Sequence, residues 1–205
     1  MGRPRRTKTP GNRPREARAN AHSSTSTGIA RLSEEGLLDR LAESEETGEP
    51  PLLLILDGVQ DPHNLGACLR TAEGAGVLAV VVPRHHAAPV TETVARISCG
   101  GAAHVPVVSV GNMARFLERI REDHGLRVVG TADEAGAELY ECDLTGPLAI
   151  VLGAEGEGMR RLTREGCDAL IRIPMLGQVP CLNVSNAAAV CLYESLRQRE
   201  FGDGA

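Results

Sequence analysis

Residues 148–186 read LAIVLGAEGEGMRRLTREGCDALIRIPMLGQVPCLNVSN, and they contain two apolar runs that each lead into an irregular segment. An apolar run at residues 148–152 ends in a glycine-rich turn at residues 153–158. A second apolar run at residues 169–173 leads into an irregular segment that carries Asn183. Buried strands that run directly into glycine-rich turns are where open α/β sheets place their ligands. The pattern therefore predicts a binding or active site at these two turns.

Similar apolar runs precede this stretch, and segments with helical periodicity separate them. Strands alternating with helices at this spacing are typical of a mostly parallel, three-layer α/β sandwich. Further strands are predicted at residues 52–56, 77–82, 104–108 and 126–129. Helices are predicted at residues 33–46, 91–98, 112–123 and 185–199, with another that begins at Asn64.

The helix after residues 52–56 carries two candidate site residues, Asn64 and Arg70. Asn64 is predicted to be the N-cap, because its side-chain oxygen can accept hydrogen bonds from free backbone N–H groups. Arg70 lies outside the apolar face of this helix, so we expect it to be exposed. The four members of that apolar face are Leu65, Cys68, Leu69 and Ala72.

Charge is unevenly distributed along the 205 residues. Residues 1–18 hold seven basic residues and one acidic residue, a net charge of +6, so the remainder carries −11 within the total of −5. A basic tail on an acidic body is typical of proteins that bind polyanions. We expect a disordered basic tail at residues 1–32, a short helix and linker at 33–51, the α/β domain at 52–199, and a C-terminal tail at 200–205.

Composition excludes several classes of protein. Aromatic residues make up 2% of the chain, which argues against recognition of bases by rows of stacked aromatic rings. No apolar run reaches the roughly 20 residues needed to span a bilayer, and no secretory signal follows the basic N-terminus. The six cysteines form no CxxC pair and lie mostly in apolar patterns. We therefore expect a cytoplasmic protein with no membrane partner, buried thiols and no metal site.

The turn at residues 153–158 has the order G-x-x-G-x-G, which is not the dinucleotide-binding order. The only lysine, Lys8, lies in the tail, so no P-loop is present, and no G-x-S-x-G elbow indicates a hydrolase. The remaining polar set is one Arg, one Glu and two Asn. Such a set suits a reaction with an already activated electrophile, in which the protein supplies position and charge stabilisation.

Three motifs resemble the SpoU/TrmH class of SPOUT RNA ribose 2′-O-methyltransferases. They are NLGACLR at residues 64–70, GAEGEG at residues 153–158, and LNVS at residues 182–185. The resemblance covers about residues 52–199 and is closest to the bacterial 23S rRNA guanosine-2′-O-methyltransferases. It implies a C-terminal trefoil knot, a homodimer, and S-adenosylmethionine as methyl donor. The cofactor-binding residues that it implies are Thr131, Gly153, Ile173, Met175, Leu182 and Asn183.

The resemblance also assigns the catalytic residues Arg70, Asn64 and Glu155. Arg70 would orient the ribose 2′-hydroxyl and stabilise developing alkoxide charge, because a guanidinium remains protonated in proteins. Asn64 and Glu155 would hold Arg70 in place. The last helix, with its apolar face, would form the dimer interface together with the helix that begins at Asn64.

Two departures from the family pattern are visible. The family usually has Ser before the LNVS motif, but Cys181 stands here, and a weaker S–H donor is expected to slow catalysis. The rRNA-specific relatives carry a globular N-terminal RNA-binding domain, for which residues 1–51 are too short. RNA is the expected partner, and rRNA is the leading substrate. The alternatives are a tRNA ribose methyltransferase of the same fold, and a catalytically weak RNA-binding or ribosome-assembly protein.

Overall fold

One sheet of eight strands organises the computed structural model, which describes residues 28–202. In chain order the strands are β1 (Arg31–Leu32), β2 (Leu52–Asp57), β3 (Ala79–Pro83), β4 (Val107–Val110), β5 (Arg127–Thr131), β6 (Ala137–Glu138), β7 (Leu148–Gly153) and β8 (Ala169–Arg172). Their order across the sheet is β1-β4-β3-β2-β7-β5-β8-β6, and every neighbouring pair is parallel. The predicted parallel α/β class is confirmed.

Helices connect the strands and cover both faces of the sheet. They are α1 (Glu34–Thr47), α2 (Pro62–Gly74), α3 (Glu92–Ile97), α4 (Gly101–His104), α5 (Met113–Glu122), α6 (Arg161–Glu165) and α7 (Val184–Phe201). A short 3₁₀ helix, Leu139–Glu141, follows β6. Within residues 28–202, no helix combines the length and the apolar character that a bilayer span requires.

The central strand β2 shows how the layers are built. All six of its residues are buried, so it has no face that contacts water. Because side chains alternate along a strand, Leu52, Leu54 and Leu56 join the core beneath α2 and α7. Leu53 and Ile55 join the core beneath α1 and α5. The three-layer arrangement is therefore confirmed, and the trefoil knot stays a prediction.

The start of α2 differs from its prediction. Asp61, not Asn64, is the N-cap, and its Oδ1 accepts a hydrogen bond from the backbone N–H of His63 at 2.9 Å. Pro62 at the first helical position explains the earlier start, because it has no N–H to satisfy and its φ suits a helix. The apolar face predicted for this helix is buried, and Arg70 is exposed, as expected.

The predicted disordered tail ends too late at residue 32. Ile29 is buried in the core, and β1 pairs with β4. The backbone N–H of Ala30 donates to the carbonyl of Ala102 at 2.7 Å, and its carbonyl accepts from Val107 N–H at 3.1 Å. These contacts join residues far apart in sequence, so local pattern does not reveal them. Residues 1–27 of the predicted tail lie outside the described residues.

The segment after α3 also differs from its prediction. Gly101 starts α4 instead of ending a helix, and the strand predicted at residues 104–108 begins only at Val107. The buried Ser98 side chain explains the extra turn: its Oγ accepts a hydrogen bond from Ala102 N–H at 3.1 Å and donates to the carbonyl of Ala95 at 2.8 Å.

The last helix buries its apolar face inside its own chain. Ala188, Cys191 and Leu192 of α7 are fully buried in the core shared with α2. The face predicted to form a dimer interface is therefore occupied. The outer side of this helix still carries exposed Tyr193 and Phe201.

Candidate functional site

Three polar side chains predicted for the site meet at one end of the sheet. Asn183 Nδ2 donates to Asn64 Oδ1 at 3.1 Å and also to Glu155 Oε1. Asn64 Nδ2 lies 3.5 Å from the same Glu155 oxygen, which also accepts from Val184 N–H at 3.3 Å. One carboxylate oxygen thus connects both asparagines and the first N–H of α7.

Neighbouring strands bring these residues together. Since β2 and β7 are paired in parallel, with Asp57 opposite Gly153, the loops that follow them leave the same edge of the sheet. Asn64 lies in the first turn of α2 and Glu155 in the loop after β7. Asn183 is the N-cap of α7, and its Oδ1 accepts from Ser185 N–H at 2.9 Å. Capping fixes the amide orientation and leaves Nδ2 to face Glu155.

The glycine-rich turn folds back on itself. Ala154 and Gly158 exchange two backbone hydrogen bonds, of 3.1 and 2.8 Å. A Cβ on Gly153 would lie 2.1 Å from the carbonyl carbon of Gly158, inside any allowed contact. Gly153 is therefore required by the turn's own backbone, whereas the sequence pattern suggested close approach to a ligand.

An ion pair between a buried carboxylate and a half-exposed arginine, which the sequence analysis did not single out, anchors this turn. Asp57, the last residue of β2, is fully buried. Its Oδ2 accepts from Arg160 N–H at 2.9 Å, and its Oδ1 accepts from Arg160 Nε at 2.7 Å and from Nη2. The pair ties the far end of the loop to the central strand. An acidic residue closing an otherwise apolar strand is the signal that could have indicated this role.

Arg70 does not join the cluster within this chain. It lies six residues beyond Asn64, a rise of about 9 Å along α2. Its Nη1 donates to Cys99 Sγ at 3.3 Å, and no hydrogen bond to Asn64 or Glu155 exists among the described residues. The expectation that these two side chains hold Arg70 in place is therefore wrong for a single chain.

The turn between α3 and α4 packs closely on Arg70. A Cβ on Gly101 would lie 2.7 Å from the carbonyl oxygen of Leu69 and 3.1 Å from the Cα of Arg70. Cys99 itself has a φ of +50°, which is unusual for a residue with a side chain. The turn thus contacts both the backbone and the guanidinium of Arg70.

The residues predicted to bind a cofactor lie at the same edge of the sheet. Thr131 ends β5 and Gly153 ends β7, and these two strands are neighbours. Ile173 and Met175 follow β8, which pairs with β5 on its other side. Leu182 and Asn183 immediately precede α7.

The loop from Ile173 to Leu182 offers unpaired backbone groups. Among the described residues, no backbone N–H or carbonyl of this loop takes part in a hydrogen bond to another backbone group. Leu176 and Val179 in the loop are exposed, as is Cys181. The loop therefore presents both polar backbone and apolar surface next to the cluster.

A cavity of about 240 Å³ opens beside the cluster. It lies between the loop after β2, the turn after β7 and the start of α7, and Asn64, Glu155 and Val184 line it. Within the described part of the chain, no group of three His, Cys, Asp or Glu side chains could hold a metal ion.

The six cysteines differ in exposure: two are buried, Cys142 and Cys167 are half-buried, and two are exposed. Burial raises the pKa of Cys68 and of Cys191 to about 12, so both are neutral packing side chains as expected. Cys99 and Cys181 are exposed, contrary to the expectation of burial.

The comparisons with known proteins agree on one family. The model of the SpoU rRNA methylase family matches residues 51–193. A 23S rRNA (guanosine-2′-O-)-methyltransferase of Pseudomonas syringae is 59% identical over 165 residues, 80% of this chain and 65% of that protein. The enzyme of the same name from Vibrio cholerae is 58% identical over 82% of this chain and 66% of its own length. The chain thus spans slightly less than two thirds of these relatives.

Solved structures show the same fold. The SpoU methyltransferase AviRb from Streptomyces viridochromogenes, in complex with AdoMet, matches with a TM-score of 0.69 and 30% identity, over 74% of this chain and 59% of that one. The TrmH/SpoU tRNA modifying enzyme of A. aeolicus matches with a TM-score of 0.66 and 32% identity, over 80% of this chain and 84% of that one.

Proposed function

Because the chain belongs to the SpoU rRNA methylase family, we propose that it methylates the ribose 2′-hydroxyl of a guanosine in 23S rRNA, with S-adenosylmethionine as donor. The observation that carries the proposal is the cluster of Asn64, Glu155 and Asn183, joined by hydrogen bonds from three separate motifs. These are the same three motifs on which the resemblance to the family rests. The named activity of relatives 58–59% identical to the chain supports the substrate.

The residues around the cluster fit S-adenosylmethionine. Adenosine and methionine present several polar groups, and the unpaired backbone between Ile173 and Leu182 can bind them. Thr131, Gly153 and Met175 border the same region from neighbouring strands. Bound there, the cofactor would supply an electrophilic methyl group on its sulfonium. This chemistry needs no metal ion, and it leaves the protein to position the hydroxyl.

Arg70 is proposed to orient the ribose hydroxyl and to stabilise the negative charge that develops on its oxygen. A guanidinium suits charge stabilisation better than base catalysis, so the proposed role of this residue is that of a cation. Glu155 holds Asn64 and Asn183 in fixed orientations through its shared oxygen. Asn183 is proposed to shape the cofactor side of the site, and Asn64 the RNA side.

We propose a homodimer in which Arg70 of one copy completes the site of the other. The separation of Arg70 from Glu155 within one chain supports this arrangement. The outer side of α2 and α7, which carries exposed Arg70 and Tyr193, is the proposed contact. Mixing an Arg70→Ala chain with a Glu155→Ala chain is expected to restore about a quarter of wild-type transfer, because random pairing produces one intact site in half of the dimers. No restoration in the mixture would contradict the shared site.

The test of function is incubation with methyl-labelled S-adenosylmethionine and separately purified rRNA and tRNA. Label recovered as 2′-O-methylguanosine from 23S rRNA supports the proposal. Label in tRNA alone would favour a tRNA ribose methyltransferase, a reading supported by the match over 84% of the A. aeolicus tRNA modifying enzyme. Cofactor binding without label in either RNA would indicate an RNA-binding protein that lacks transfer activity.

A further inference from the structure

A second cavity, of about 570 Å³, opens where α1 and α5 meet the ends of β3 and β4. Three arginines line it: Arg84 from the loop after β3, and Arg115 and Arg119 from α5. It lies on the α1 and α5 side of the sheet, in contrast to the packing of α2 and α7 on the other face. We call it the arginine groove.

Two of its arginines carry charge with no partner. Arg119 is neutralised by Glu34 at 3.3 Å and Glu35 at 3.7 Å. Among residues 28–202, the guanidinium groups of Arg84 and Arg115 make no hydrogen bond and no ion pair. Most other arginines of the described chain are paired, and in this groove three arginines face two glutamates, Glu34 and Glu35, which leaves a net charge of +1.

Packing holds Arg84 at the groove. Its backbone N–H donates to Val110 O at 2.8 Å, which extends the pairing of β3 with β4 past their ends. A Cβ added to Gly111 would lie at ordinary contact distance, 3.7–3.8 Å, from the guanidinium atoms of Arg84, so this group lies over Gly111 with room for about one methyl group between them. Arg115 lies in the first turn of α5, where the free N–H groups of the helix add partial positive charge.

The groove and the cluster share one edge of the sheet. The strand order β4-β3-β2-β7 places the end of β3 beside the end of β2, and the end of β4 one strand farther away. Strands lie about 4.8 Å apart, so the groove lies roughly 5–10 Å along this edge from the loop that leads to Asn64. A nucleic-acid strand along the edge would pass both sites within a few nucleotides.

We propose that the arginine groove binds phosphodiester groups of the RNA strand whose ribose occupies the site at Asn64, Glu155 and Asn183. This inference rests on the proposed function. The chain beyond residue 18 has a net charge of −11, so attraction of RNA to this body depends on local positive sites. Two guanidinium groups that line one groove and have no partner within residues 28–202 meet that need.

The test measures binding of a short labelled single-stranded RNA to the full chain over a range of salt concentrations, without methyl donor. Arg84→Ala/Arg115→Ala is expected to weaken binding about tenfold and to lower the slope of log K against log salt by about 1 per arginine. In methylation assays its KM for RNA should rise while kcat stays near wild type. Arg84→Lys/Arg115→Lys should keep most of the slope, because the charges remain.

Arg96→Ala is the matched control. Arg96 is exposed on α3, its side chain makes no hydrogen bond or ion pair within residues 28–202, and it lies on the other face of the sheet. The proposal that the arginine groove binds RNA would be refuted by an equal loss of affinity in Arg96→Ala. Unchanged binding in Arg84→Ala/Arg115→Ala would also refute it. The outcome for the proposed function is separate. If RNA binding depends on the groove but no methyl transfer occurs, the proposed activity is refuted and the proposed RNA-binding role of the groove is supported. If Arg84→Ala/Arg115→Ala transfers methyl groups with an unchanged KM for RNA, the proposed RNA-binding role of the groove is refuted and the proposed activity is supported.

Discussion

Helix α2 carries two parts of the proposed catalytic set, and their surroundings differ. Asn64, at its start, belongs to a network closed within one chain, in which Glu155 Oε1 accepts three hydrogen bonds. For Arg70, further along the helix, the one side-chain hydrogen bond within residues 28–202 is to the exposed thiol of Cys99. The first part is complete in a single chain, whereas the second lacks a carboxylate for its charge.

The difference separates two tasks. The hydrogen bonds of Glu155 connect the loops that form the site. The ion pair between buried Asp57 and Arg160 anchors the turn that carries Glu155. The Arg70 region provides a charge that is available to another molecule. Loss of the Asp57 support of the first region should therefore change stability and cofactor affinity, whereas variants in the second region should change the rate of transfer alone.

Arg70→Ala should have the largest effect. Loss of the cation that stabilises developing charge is expected to reduce kcat by about 10²–10³. Because Arg70 is exposed, the free energy of unfolding should change by less than about 0.5 kcal/mol. Cofactor affinity, measured by calorimetry, should stay near wild type. Retained transfer would show that Arg70 has no role in the reaction.

Asp57→Asn tests the support of the first region. It removes the negative charge of the carboxylate that accepts hydrogen bonds from Arg160. We expect the free energy of unfolding, measured with urea, to fall by about 2 kcal/mol. The value is moderate because Arg160 is half exposed and water can solvate its charge. Cofactor affinity should fall as the turn loosens.

Asp61→Asn is the control for that variant, because it removes a neighbouring carboxylate whose capping role asparagine can fill. Similar losses in both variants would show that the ion pair has no special role.

Glu155→Gln examines the shared acceptor itself. The glutamine amide keeps one oxygen but has no charge. If the amide is rotated, its NH₂ group faces the NH₂ group of Asn183, and two donors cannot form a hydrogen bond. We expect a fall in kcat of about tenfold, equivalent to the weakening of one charged hydrogen bond, with little change in stability. Glu157→Gln is the matched control, since Glu157 lies in the same turn and makes no side-chain hydrogen bond among the described residues. Equal rates for both variants would remove Glu155 from the mechanism.

Cys99→Ser and Cys99→Ala should have the smallest effects. Serine keeps an acceptor for Arg70, so kcat is expected to stay within about twofold of wild type, whereas alanine should lower it about threefold. KM for the cofactor should not move in either variant. Identical rates in wild type and both variants would mean that the thiol does not position Arg70.

Sequence alone predicted most of the architecture. The pattern of apolar residues located the buried strands β2 and β7 and the apolar face of α2, because burial in these elements follows from residues close together in sequence. Asn112 was identified as the N-cap of α5, and its Oδ1 does accept from Arg115 N–H at 3.1 Å. The motifs also placed Asn64, Glu155 and Asn183 in one site. Their roles in catalysis stay a prediction.

The features that sequence did not reveal depend on long-range contacts. The strand β1 has two residues and no periodicity, and it exists because β4 offers it a partner. The pairing of Asp57 with Arg160 joins residues 103 positions apart. The family motifs predicted that Asn64 and Glu155 hold Arg70 in place. The six-residue step along α2 from Asn64 to Arg70 instead separates the Arg70 side chain from the cluster at Glu155. Distance along a helix is the information that the motif comparison left out.

The pairing of β2 with β7 has a consequence for synthesis. Both strands are central and apolar, yet roughly ninety residues separate them in the chain. At about 5–20 residues per second, a ribosome needs roughly 5–18 seconds to deliver β7 after β2 has been made. During that interval one edge of β2 has no partner, and unpaired apolar edges invite aggregation. Until β7 is made, this open edge of the nascent chain can pair with strands of other chains.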